Sequence, residues 1–263
     1  MKRSEVDPGP AAAARALPLG FLALVPLLAG HEWAVAARGR DLVNLGAVIL
    51  RLPLAPLGAR ATAASWIGLG FLALACVVWL YRATYALVPR LVRLLGESAL
   101  AAVALGPLLV LLAWLLHVPG DPQHLRAGVP AGPPPLSLVG VVAGGAAFEE
   151  LVFRLGLQSL AFLLARRALL GAGAKPALAT LVAEGLALGA SALAFAFSHL
   201  ESVVTVLVGP GGEPFDAAIF SWRVLAGMLL GVLFRWRGLG VAAWTHALFN
   251  LALAIGAGPD VFL

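Results

Sequence analysis

Long apolar runs, separated by short polar stretches rich in arginine, dominate the chain. Seven of them, at 17–37, 62–80, 98–118, 136–164, 176–200, 217–234 and 239–257, are near or above the roughly 20 residues needed to cross the hydrocarbon core as a helix. The pattern predicts an all-α, polytopic transmembrane bundle with about seven spans, in a range of six to eight. The first run ends in Ala34-Val35-Ala36, which resembles a signal-peptidase site, but the polytopic remainder favours an uncleaved first span. Residues 38–60 are interrupted by Arg51, Pro53 and Pro56 and read as an interfacial or re-entrant segment. Residues 82–97 read as a basic connector, an amphipathic helix on the membrane surface.

Four divisions follow: a disordered tail at 1–15, membrane helices and connectors at 16–135, a core of four C-terminal helices at 136–257, and a short tail at 258–263. The Gly/Pro-rich stretch 120–135 contains His124 and reads as a loop, with His117 and His124 interfacial. Gly140/Gly144, Gly185/Gly189 and Gly227/Gly231 form three GxxxG pairs, which predict close helix packing in the last spans.

Composition agrees with the pattern. Of 263 residues, 61% are hydrophobic and 12% charged, and mean hydropathy is +0.97; a soluble globular class is excluded. The net charge of +5 comes from arginines lying mostly between apolar runs, so it reads as topology signals and anionic-lipid contacts rather than nucleic-acid binding. Cys76 is the sole cysteine, which excludes an intrachain disulfide and a CxxC metal site. With the N-terminus inside, the inner segments hold Lys2, Arg3, Arg15, Arg82, Arg90, Arg93, Arg166, Arg167, Lys175, Arg235 and Arg237, and the outer ones only Arg38, Arg40, Arg51, Arg60 and Arg126. That bias predicts a cytoplasmic N-terminus.

The fourth run is unusual in what it carries. Glu149, Glu150 and Arg154 lie within A-A-F-E-E-L-V-F-R at 146–154, where each charge costs about 2.5–3.5 kcal/mol on insertion scales. Glu150 and Arg154 are four apart and share a helix face, whereas Glu149 is turned by about 100°. Two readings fit: all three neutralise one another as glue between helices, or Glu150/Arg154 fixes the helix while Glu149 does chemistry. The fifth run ends F-A-F-S-H, with Phe195 and His199 four apart; the seventh carries W-T-H-A-L-F-N, with His246 and Asn250 four apart. Alone, each pair fits an interfacial histidine or helix–helix glue. Together with Glu149 they make a set for adding water to a peptide carbonyl: a carboxylate to take and return a proton, and imidazole and amide N–H groups to stabilise the oxyanion. Glu184 and Arg223, also within apolar runs, read as structural, pairing with each other or with the site.

E-E-L-V-F-R at 149–154, F-A-F-S-H at 195–199 and H-A-L-F-N at 246–250 resemble the ordered signature EExxxR, FxxxH, HxxxN of the CPBP (CAAX protease and bacteriocin-processing, or Abi) family of intramembrane proteases. The resemblance covers about residues 136–257; the first three spans carry no recognised motif. It implies an intramembrane endopeptidase in which Glu149 with His199 activates water, His246 and Asn250 form the oxyanion side, and Glu150, Arg154 and Phe195 support them. The family has often been labelled metalloprotease, and Glu149, His199 and His246 could in principle hold zinc. With no HExxH in the sequence, the residues favour a metal-free glutamate mechanism.

The expected partners are the lipid bilayer and a peptide or protein substrate, not nucleic acid. Placing His199 at the outer end of its span argues against cytoplasmic prenyl-CAAX substrates and for leader peptides or C-terminal tails of exported proteins. Ala, Gly, Leu and Arg usage with little Lys suggests a GC-rich bacterial genome, so the spans are expected in a bacterial inner membrane. The competing classes are a non-catalytic scaffold or bacteriocin-immunity protein of the same fold and a proton-coupled transporter, although the internal repeat common in transporters is not evident.

Overall fold

The computed structural model describes residues 10–38, 44–82, 87–116, 136–209 and 211–257, and every regular element in them is helical. In chain order these are α1 (Pro10–Arg38), α2 (Leu45–Arg51), a 3-10 helix (Leu52–Arg60), α3 (Ala61–Arg82), α4 (Leu87–Leu115), α5 (Leu136–Glu149), a π-helical segment (Glu150–Gln158), α6 (Ser159–Gly171), α7 (Pro176–Phe197), α8 (Glu201–Leu207), α9 (Ala217–Arg237) and α10 (Leu239–Ala257). Leu17–Ala37 of α1, together with α3, α4, α7 and α9, are long and apolar enough to cross a membrane; α10 is a shorter apolar helix. α5, the π segment and α6 run end to end. The all-α polytopic bundle expected from the pattern is therefore the observed architecture.

The outward surface is apolar. Only Cys76 and Leu80 of α3 are buried, and Phe71, Val103 and Leu181 are 70%, 78% and 72% exposed. In water such a surface would be an association liability; in hydrocarbon it is matched to its solvent.

Small residues set the interior. α1 makes its most extensive contact with α5, and the approach leaves no room for side chains. A Cβ on Gly140 would lie 2.6 Å from the Gly30 carbonyl oxygen, and one on Gly144 would lie 2.5 Å from that of Leu27. Gly227 likewise faces the Cα of Ala192 at 3.1 Å, and Gly231 faces Gln158 Oε1 at 2.9 Å. Two of the three GxxxG pairs thus work as the pattern predicts. Gly185 and Gly189 do not: among the described residues nothing stands within 4 Å of a Cβ at either.

Other expectations are corrected. α1 is already helical at Pro10, inside the stretch expected to be a tail, since Pro at the first position and an alanine run favour a helix; residues 1–9 lie outside the described residues. The 82–97 segment is not a separate surface helix. From Leu87 it continues into the third span as α4, with Leu94 buried and Glu97 paired to Arg93 and to Arg237 of α9. Within 38–60, expected to be interfacial or re-entrant, α2 buries Leu45, Gly46 and Ala47 and packs on α5. Glu184 pairs with Arg235 and Arg223 with Glu213, not with each other or with the acidic motif. His117, His124 and the tail 258–263 lie outside the described residues.

The small-residue stripe makes a checkable contrast. Gly144→Leu is expected to lower the melting temperature of the purified protein in detergent strongly, because α1 must move off α5. Gly189→Leu is expected to leave it within about 0.5 kcal/mol of wild type, as for an unpacked surface position.

Candidate active site

Three elements bring the motif residues together: the junction of α5 with the π segment, the C-terminal end of α7 and the middle of α10. The π segment starts at Glu150, directly after Glu149. Such widened turns recur at functional sites. Here the wider turn carries Glu150, Phe153, Arg154 and Gln158 into the protein, all buried. The α-helical geometry expected through Leu164 therefore gives way at the acidic pair itself.

Glu150 and Arg154 are 0% exposed, with Arg154 Nε 3.3 Å from Glu150 Oε2. Arg154 Nη1 donates to Ser191 Oγ of α7 at 2.6 Å, and Ser191 Oγ donates to the Phe153 carbonyl at 2.7 Å. Gln158 Nε2 donates to the Gly231 carbonyl of α9 at 3.2 Å. The pair thus locks the π segment to α7, and its neighbour Gln158 locks it to α9.

Glu150 has a second role that the spacing did not reveal. Its Oε1 stands 3.0 Å from His246 Nδ1 of α10. A carboxylate beside an arginine accepts hydrogen bonds, so His246 Nδ1 carries the proton and Nε2 is turned the other way. Nε2 faces Glu149, 3.7 Å from its Oε2. That distance is too long for a direct hydrogen bond. Asn250 lies one turn further along α10, on the His246 face.

Phe195 joins the remaining parts. Its ring centroid lies 4.9 Å from that of His199 and 5.6 Å from that of His246, and the Arg154 guanidinium sits 5.2 Å from it. His199, just past the end of α7, donates from Nδ1 to the Phe195 carbonyl at 2.8 Å, which leaves Nε2 as an acceptor. Its backbone is also tied down. Glu213 N donates to the His199 carbonyl at 2.9 Å, Glu201 N donates to the Glu213 carbonyl at 2.7 Å, and Arg223 holds the Glu213 side chain at 2.5 Å.

Glu149, Glu150, Arg154, Phe195, His199 and His246 thus form one connected cluster; Asn250 adjoins it through its helix face alone. Sequence reasoning missed Asn44, whose Nδ2 donates to Glu149 Oε1 at 2.7 Å, and also missed Ser191 and Gln158. Two of these had a signal. Ser191, Phe195 and His199 recur every four residues along α7, and Gln158 follows Arg154 by four. Asn44 had none beyond its place as a helix cap. Among the described residues no three His, Cys, Asp or Glu side chains are grouped as for a metal ion, Glu149, His199 and His246 included.

The buried pair carries a prediction. Glu150→Leu strands the Arg154 charge and is expected to cost about 3–5 kcal/mol of stability, whereas adding Arg154→Met restores most of it. The double variant stays inactive, because His246 has lost its Nδ1 partner. Thermal unfolding in detergent and a cleavage assay read the two effects, and wild-type stability of the single variant would contradict the assignment.

The comparisons with known proteins bear on the same residues. A family model described as "Type II CAAX prenyl endopeptidase Rce1-like" matches residues 130–252, somewhat less than half of the chain. No curated protein and no solved structure matches. The matched segment contains Glu149, Glu150, Arg154, Phe195, His199, His246 and Asn250, the residues on which the CPBP resemblance rests. The helices long and apolar enough to span, together with this family of membrane proteases, make the chain an integral membrane protein. Over residues 130–252 it is similar to the Rce1-like type II CAAX prenyl endopeptidase family.

Proposed function

We propose that the protein is an intramembrane endopeptidase that hydrolyses a peptide bond of a membrane-associated or exported protein, with Glu149 as the base that activates water. The observation that carries this reading is the opposition of Glu149 and His246, 3.7 Å apart across the α5–α10 contact, with Glu150 holding the far side of the imidazole.

The acids divide their work by environment. Glu150 is fully buried, paired with Arg154 and bonded to His246, so it is out of reach of a substrate. Glu149 is tied by one oxygen only, to Asn44, and its Oε2 is available to take a proton from water. His199, with Nδ1 committed to the Phe195 carbonyl, offers the lone pair of Nε2 to the same water. Attack on the carbonyl forms one C–O bond and pushes charge onto the carbonyl oxygen. His246 and Asn250 lie on the side of α10 that stabilises it. The Asn250 amide supplies an N–H on that side that needs no proton to move, and Glu150 fixes the His246 ring beside it. Collapse breaks the C–N bond, and the proton on Glu149 passes to the leaving amine.

The mechanism needs no metal. The active site lies toward the extracytoplasmic half of a bacterial inner membrane, with the N-terminus cytoplasmic, as the charge bias favours. The substrates that fit are leader peptides or C-terminal tails of exported proteins.

Two outcomes check these statements. In liposomes containing membrane-anchored reporter peptides, Glu149→Gln is expected to abolish cleavage, by about 10⁴-fold or more, while a strong zinc chelator leaves the wild type active; a cleaving Glu149→Gln variant or a chelator-sensitive wild type would contradict the mechanism. Reporter fusions within 201–216 are expected to report an extracytoplasmic location, and a cytoplasmic one would reverse the orientation.

A further inference from the structure

Asn44 stands outside the family-matched segment, at the start of a seven-residue helix, yet it touches the proposed base. Both ends of its amide are in use. Oδ1 accepts from Ala47 N at 3.2 Å and caps α2, while Nδ2 donates to Glu149 Oε1 at 2.7 Å. The orientation is fixed by these partners, since a flipped amide would set acceptor against carboxylate and donor against backbone N–H.

The backbone is shaped around this contact from both sides. A Cβ on Gly46 would lie 3.0 Å from the carbonyl carbon of Phe148 and 3.1 Å from Glu149 N; one on Gly145 would lie 2.9 Å from Asn44 Nδ2. Glycines in α2 and α5 therefore let the first turn of α2 rest on the last turn of α5. Capping α2 needs no such approach, because Oδ1 alone does it.

We infer that Asn44 is a positioning residue for Glu149. Its amide N–H occupies Oε1 and fixes the carboxylate so that Oε2 faces His246 Nε2. This rests on Glu149 being the base. It makes Asn44, the cap of α2 and beyond the family-matched segment, part of the proteolytic site, although α2 carries none of the motif residues.

Asparagine, aspartate and serine cap helices about equally well, so two substitutions separate capping from positioning. Asn44→Ser keeps a capping oxygen and removes the amide donor. Asn44→Asp keeps the cap and sets a carboxylate against a carboxylate. With the membrane-anchored reporter peptide that the wild type cleaves, Asn44→Ser is expected to lower kcat about 10–100-fold with KM and melting temperature unchanged, and Asn44→Asp to lower it further. Wild-type kcat in both variants would reduce Asn44 to a helix cap and overturn the inference, as would activity losses that merely follow losses of melting temperature. Glu149→Gln in the same assay separates the two claims. If it is inactive while the Asn44 variants match wild type, only the Asn44 assignment fails; if it cleaves, the base is misassigned and both fall.

Discussion

The site depends on one buried ion pair. Glu150 and Arg154 are fully enclosed among apolar helices, where a lone charge would cost several kcal/mol. Neither is tolerable without the other, and both need further partners. Arg154 finds Ser191 on α7 and Glu150 finds His246 on α10. The need to satisfy two buried charges thus pins three helices to one another. It also turns His246 Nε2 toward Glu149, so electrostatic necessity and site geometry are met by the same contacts.

Around that pair the helices approach as closely as backbones can. Gly140 and Gly144 bring α1 onto α5, Gly227 and Gly231 bring α9 toward α7 and the π segment, and Gly46 and Gly145 bring α2 onto the turn that carries Glu149. In hydrocarbon, with no hydrophobic drive between helices, such contacts and a few internal hydrogen bonds hold the bundle together. The elements flanking the motif core are therefore structural parts of the site: α1 backs α5, and Asn44 of the α2 cap binds the proposed base.

Much of this was legible in the sequence. Each of the seven apolar runs maps onto a described helix or helix run, because hydropathy alone decides which segments sit in lipid. Six of the seven named site residues join one cluster, since buried polar residues at i, i+4 spacing have to meet partners somewhere. What stayed hidden depends on tertiary contact. The His246–Glu150 bond links positions ninety-six apart and the Asn44–Glu149 bond positions a hundred and five apart, and periodicity carries no information at that range. The π turn at Glu150 was invisible for the same reason: it follows from fitting four buried side chains between α7, α9 and α10. Gly185 and Gly189 have the spacing of a packing motif, but spacing does not say which face of a helix has a neighbour.

Glu150 bound on both sides and Glu149 held at one oxygen lead to a single chemical claim: Glu149 acts on water and does not itself attack the peptide. A single turnover in ¹⁸O-water, followed by mass spectrometry of both product and enzyme, tests this most directly. The account predicts ¹⁸O in the new carboxyl group of the product and none in the Glu149 side chain. Label in Glu149 with an unlabelled product would show a glutamyl anhydride intermediate and contradict it.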